Sequence, residues 1–128
     1  MGNGVRKIIL LFCSDPVVMA VLRDSLENAG YLVMSAGDLG TAVDRLRECK
    51  ADLLIVRPYV DSLTGHDAAI YLRTKCHGLP VLIVDGYLDD ERLHDRAAIA
   101  MFEVFPGPFT AADFLAKVSS LVNKPAAN

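Results

Sequence analysis

Several features are missing from this sequence, and each absence excludes a class of protein. No apolar run approaches the ~18 residues that cross a bilayer; Ile8 to Cys13 and Leu53 to Val56 are far shorter. A secretory leader is not read either, because the first run is short and passes into Ser14, Asp15 and Pro16 instead of a small-residue cleavage site. The start Met1 to Arg6 lacks the Ser or Thr that myristoylation wants at the sixth position. The 3 cysteines, Cys13, Cys49 and Cys76, form no Cys-x-x-Cys pair, and His66, His77 and His94 stand apart from them. An odd cysteine count of this kind fits reduced thiols in a cytoplasmic protein, and local spacing assembles neither a zinc site nor a haem attachment motif. No metal and no cofactor is therefore expected. A stripe of Lys and Arg able to displace phosphate counterions is also missing: Arg6, Lys7, Arg45, Arg47 and Lys50 lie among acids, and the formal net charge is -3. Direct contact with nucleic acid is not expected, nor is a membrane partner.

Apolar side chains are plentiful. Of 128 residues 52% are hydrophobic and 23% charged, with a mean hydropathy of +0.32. That is enough to fold one domain without a disulfide or metal, and too apolar for a disordered chain. Short continuous runs recur at Lys7 to Phe12, Tyr31 to Met34, Leu53 to Val56, Val81 to Val84 and Phe102 to Phe105. Runs that do not alternate read as strands covered on both faces. Between them lie segments of helical period. Val18, Val21, Leu22, Ser25, Leu26 and Ala29 make one stripe, ended by Gly30, and Ala111, Phe114, Leu115, Val118, Leu121 and Val122 make another, entered through Thr110 as N-cap. Leu39 to Cys49 and Ala68 to Cys76 read as two further helices, and Leu88 to Ala100 as one opening on Asp89, Asp90 and Glu91. A strand and a helix repeated in this way imply an α/β fold, a doubly wound five-stranded parallel sheet with its binding crevice at the carboxyl ends of the strands. One domain is expected over residues 1–124, with 125–128 a tail or the start of a linker.

The strand ends resemble those of response-regulator receiver domains. Ala51 to Arg57, with Gly65 eight positions beyond Arg57, resembles the third strand and following loop of that family; Leu79 to Val84 resembles the fourth strand; Pro108-Phe109 resembles the Lys-Pro-Phe signature after the fifth; and Ser14-Asp15-Pro16 stands where an acidic loop opens the first helix. The resemblance runs over residues 5–123 and implies the flavodoxin-like (βα)5 strand order 2-1-3-4-5. It also shows what this chain lacks. Where a receiver carries its phospho-acceptor Asp, the sequence has Arg57; where it has the acidic pair that helps to hold Mg²⁺, Cys13 and Ser14; where it has the Thr or Ser of the fourth strand, Asp85; where it has the Lys of the fifth loop, Gly107; and where it has the aromatic switch residue, Val104.

Mg²⁺ wants hard oxygen ligands, and a cationic Arg57 in the middle of the pocket repels it while offering no acyl nucleophile. The degenerate pocket, Cys13, Ser14, Asp15, Arg57, Asp85 and Gly107, is thus expected to be catalytically dead, and the chain not an enzyme. Asp15, Arg57 and Asp85 are able to converge in a locked ion cluster, with the guanidinium in the space that metal and phosphate fill elsewhere. Cys13 has a sharper reading as the nucleophile of a thiol enzyme or phosphocarrier resembling a IIB domain, but Pro16 removes an amide that a phosphate loop needs and Val17-Val18 are bulky. The bland reading is a small core residue, and Cys49 and Cys76 read as inert. His66 reads as a surface or capping residue in the loop before the third helix, and His77 as a residue serving a helix C-terminus.

The expectation for function is a phosphorylation-independent, receiver-like module of bacterial two-component signalling, cytoplasmic, that contacts a protein partner or a second copy. The resemblance implies the face made by the fourth helix, fifth strand and fifth helix, with Tyr87, Val104 and Phe109 as candidate contacts, and a fused output domain. A sensor of a small ligand at the strand ends stands as an alternative beside the Cys13 chemistry.

Overall fold

Strands that carry apolar side chains at every position need a layer on each face, and this chain provides two. The structure, a computed structural model, describes residues 6–60, 62–85, 103–106 and 110–123. Its elements are β1 (Ile8–Phe12), α1 (Pro16–Asn28), β2 (Leu32–Ala36), α2 (Leu39–Glu48), β3 (Leu53–Val56), β4 (Tyr59–Val60), β5 (Leu63–Thr64), α3 (Gly65–Lys75), β6 (Val81–Asp85), β7 (Glu103–Pro106) and α4 (Ala111–Val122). The main sheet runs β2-β1-β3-β6-β7, each described pair parallel, and β4 and β5 form a separate antiparallel hairpin.

Alternation along each strand divides the core in two. Leu10, Phe12, Leu54, Val56 and Ile83 face α2 and α3, where they meet Ala42, Val43, Ala68, Ala69 and Leu72. Ile9, Leu11, Leu53, Ile55 and Val84 face α1 and α4, where they meet Leu22, Leu26, Phe114, Val118 and Leu121. Ile9 to Phe12 and Leu53 to Val56 are wholly buried. Each such side chain contributes ~2 kcal/mol of transfer free energy, which holds the central strands in register. Among the described residues no helix is long and apolar enough to cross a membrane.

Each described helix starts at a side chain that accepts otherwise unpaired amides. Asp15 caps α1, Asp38 caps α2, Thr64 caps α3 and Thr110 caps α4. Thr64 Oγ1 accepts from Asp67 N at 3.0 Å, and so α3 begins at Gly65, not at Ala68 as its apolar pattern had implied. The stripe on α1 is narrower than its periodicity predicts: Leu22 and Leu26 are buried, but Val21 is 59% exposed. Beyond α1, Gly30 has φ 99, the left-handed conformation that suits a helix stop. β2 lies later than its apolar run predicts, extending through Ser35 and Ala36. The segment Leu88 to Ala100, expected as a helix, and the 125–128 tail lie outside the described residues.

Candidate functional site

The parallel register brings the carboxyl ends of β1, β3 and β6 together. Phe12 is paired with Val56, and Val56 with Ile83, so Cys13 and Arg57 follow neighbouring strands directly. Asp85 ends β6 opposite Pro106 of β7.

Cys13 closes β1 from inside the core. It is 2% exposed, and its N–H donates to Ala36 O at 3.0 Å across the sheet. The thiol donates to Asp15 O at 3.4 Å. Burial pushes the Cys13 thiol above its ordinary value of 9.0, against the opposing effects of a backbone hydrogen bond at Asp15 and the positive charge of Arg57; the Asp15 carboxylate adds to the upward shift. A thiol in that state is neither a good nucleophile nor a metal ligand at neutral pH. Ser14, next in the chain, is exposed and donates from Oγ to Gly37 O at 3.4 Å, tying the β1 end to the loop before α2.

Asp15 does not stand as a bare acid in the pocket. Its Oδ1 accepts from Val17 N at 2.9 Å and from Val18 N at 3.3 Å, satisfying two of the orphan amides of α1, with Pro16 occupying the first helical position where no amide is needed. Of the expected Asp15-Arg57-Asp85 cluster, then, this carboxylate is engaged by helix capping; the side chain of Asp85 lies outside the described residues. Arg57 is half-buried, close enough for its charge to act on Cys13. Its backbone is fixed by the loop that follows. Gly65 N donates to Pro58 O at 2.6 Å, and a Cβ on Gly65 would overlap the Arg57 carbonyl oxygen, so the return of the chain at this point requires glycine. Between them the β4-β5 hairpin turns through Ser62, which has φ 64.

Two open clefts meet at Ser14. One of about 510 Å³ is lined by Cys13, Ser14, Pro16, Met19, Arg23 and Gly37, and the other, of about 420 Å³, by Ser14, Tyr59, Val60, Ser62, Leu63 and Thr64. Among the described residues no group of three or more His, Cys, Asp or Glu side chains is placed to hold a metal ion. The described side chains at the strand ends do not fit Mg²⁺: a buried thiol, a hydroxyl and a guanidinium supply no carboxylate oxygen, and the Asp15 carboxylate caps a helix.

Other sequence-based candidates are placed as follows. His66 is in the first turn of α3, not in the preceding loop, and its side chain is only 12% exposed, with Nδ1 3.7 Å from Asp67 Oδ1. That corrects its reading as a surface or capping residue, since Thr64 is the cap. His77 and Cys49 are exposed, and Cys76 is half-buried. Val104 pairs with Ile83 in the sheet. Tyr87, Gly107 and Phe109 lie outside the described residues. The capping roles of Asp15 and Asp38 were missed; the signal was an Asp immediately ahead of a helical stripe, and at Asp38 the amide of Thr41 lowers the carboxyl below its usual range.

No family model matches the chain. Its sequence is similar to the response regulator MprA of Mycobacterium avium, 27% identical over 119 residues, covering 91% of this chain and 51% of that protein. It is also similar to the probable transcriptional regulatory protein TcrX of Mycobacterium tuberculosis, 25% identical over 97 residues, covering 76% of this chain and 40% of that one. The chain thus spans about half the length of these relatives, or less. Among solved structures, the receiver domain of NtrX from Brucella abortus superposes with a TM-score of 0.82 at 15% identity, covering 91% of this chain and 99% of that domain.

Proposed function

We propose that this chain, a receiver-type (CheY-like) domain by fold and by sequence similarity, is a signalling module that works without a phosphoryl group. Receiver domains are signalling parts of two-component regulators, and here the part that would accept phosphate has been exchanged for chemistry that cannot. The observation that carries this reading is a half-buried Arg57 just after β3 beside a buried Cys13 just after β1, the two following the Phe12–Val56 pair of neighbouring strands. In-line phosphoryl transfer needs an acceptor and a means of neutralising the transferred group's charge. A guanidinium is no acceptor, and it disfavours the divalent cation that transfer requires.

With no phosphoryl switch, output depends on which surface the domain presents. On this reading the partner is a protein, either a second copy of the chain or an output domain, docked where β7 and α4 lie, and the module acts in the cytoplasm. The longer response regulators among its relatives support a role alongside an output domain. Thiol chemistry at Cys13 is disfavoured, because burial holds the thiol protonated.

Incubation with acetyl phosphate and Mg²⁺, followed by intact-mass measurement, tests the proposal. The expected result is an unchanged mass. A stoichiometric adduct mapped to Asp15, Asp61 or Asp85 would overturn it.

A further inference from the structure

β2 forms one edge of the sheet, and its outward backbone groups follow from its hydrogen bonds. Leu32 N donates to Lys7 O at 3.0 Å, and Cys13 N donates to Ala36 O at 3.0 Å. The even-numbered residues of β2 therefore direct their backbone toward β1, and Val33 and Ser35 turn theirs outward. Among the described residues no strand pairs on that side. A row of this kind is a template for a further strand, and Leu32, 46% exposed at its start, adds an apolar foothold.

Two arginines from opposite helical layers meet on this edge at one residue. From α2, Arg45 Nε donates to Ser35 O at 3.3 Å, while its Nη1 lies 3.4 Å from Glu48 Oε1. From α1, Arg23 Nη1 donates to Ser35 Oγ at 3.2 Å, while its Nε lies 3.3 Å from Glu27 Oε2. α1 and α2 pack on opposite faces of the sheet, so the two side chains reach over the edge from both sides. As ion pairs both are exposed and worth little to stability. Their geometry has another effect: each glutamate, one turn along its own helix, steadies a guanidinium over the edge strand.

We propose that Arg23 and Arg45 form a clasp that withholds the β2 edge from strand addition by a second copy of this chain. Arg45 occupies Ser35 O, an outward acceptor that the N–H of an incoming strand would need. Arg23 fixes the Ser35 side chain against the α1 layer and adds bulk beside the same position. Self-association of the domain is thereby directed away from the sheet edge.

The test is sedimentation of the full chain over a concentration series. The Arg23→Ala/Arg45→Ala variant is expected to gain mass with concentration beyond whatever the wild-type chain shows, with the Val33 amide becoming protected from hydrogen exchange. Adding Val33→Pro, which removes an outward N–H without touching the bonds to β1, is expected to abolish that gain. Should the double variant prove unstable, Arg45→Gln alone is expected to show the same trend more weakly. Wild-type sedimentation in folded variants at every concentration would overturn the proposal, as would a mass gain that survives Val33→Pro.

Discussion

Along β1 and β3, the strand bodies and the residues that follow them obey different rules. Ile9 to Phe12 and Leu53 to Val56 are wholly buried and serve two core layers at once. One position further, Cys13 still belongs to the core while Arg57 is half-buried and charged. The bodies are interchangeable in kind with any well-packed parallel strand, whereas the ends decide which chemistry the crevice can support. Fold and function are therefore separable within a single strand, because register and burial are set before the chain reaches its end.

The largest expected effect lies in the bodies. Leu54→Ala empties a wholly buried position in the layer under α2 and α3 and should lower stability by ~3 kcal/mol, read from urea denaturation. Gly65→Ala probes the junction between body and end. Its Cβ meets the Arg57 backbone, which cannot rotate away as a side chain could, so a loss of ~2–3 kcal/mol is expected by the same measurement. A neutral result there would show that the loop after β3 is free to move.

At the ends themselves the effects should be smaller. Arg57→Ala is expected to lower stability by ~1 kcal/mol or less, because the side chain is half-buried and partly screened. A loss of ~3 kcal/mol or more would mean that it anchors a desolvated ion cluster. Cys13 gives the smallest effect, seen only in alkali. Its folded-state pKa is raised above 9.0, so the folded protein holds the proton after the unfolded chain has begun to release it. Its contribution is therefore fully present below pH 9.0 and is lost as pH rises through the folded value. Thermal melts from neutral pH upward should show a decline above that point that Cys13→Ala lessens, and iodoacetamide should label exposed Cys49 ahead of Cys13.

The strand bodies were legible because buried parallel strands leave a continuous apolar run, and β3 was bounded to the residue. β2 was not, since Ser35 and Ala36 look like the start of a loop; as an edge position, Ser35 tolerates a hydroxyl that Arg23 can bond. The β4-β5 hairpin has strands of two residues each, too short to show any period, and its turn depends on a positive φ at Ser62 that composition does not announce. At the site, the thiol, hydroxyl and guanidinium of Cys13, Ser14 and Arg57 were legible because they stand directly after the apolar runs of β1 and β3. The role of Asp15 was not, because its charge drew attention to the pocket while Asp before Pro16 was also a helix start. His66 misled in the same way: the boundary of α3 is set by Thr64, three residues ahead of Asp67, and not by the apolar stripe.

Titration with beryllofluoride and Mg²⁺ while following backbone amide shifts is the sharpest test of the proposed phosphorylation independence. The amides of Ser14, Arg57 and Asp85 are expected to stay where they are at saturating reagent. A second set of resonances for those residues, appearing only when both reagents are present, would contradict it.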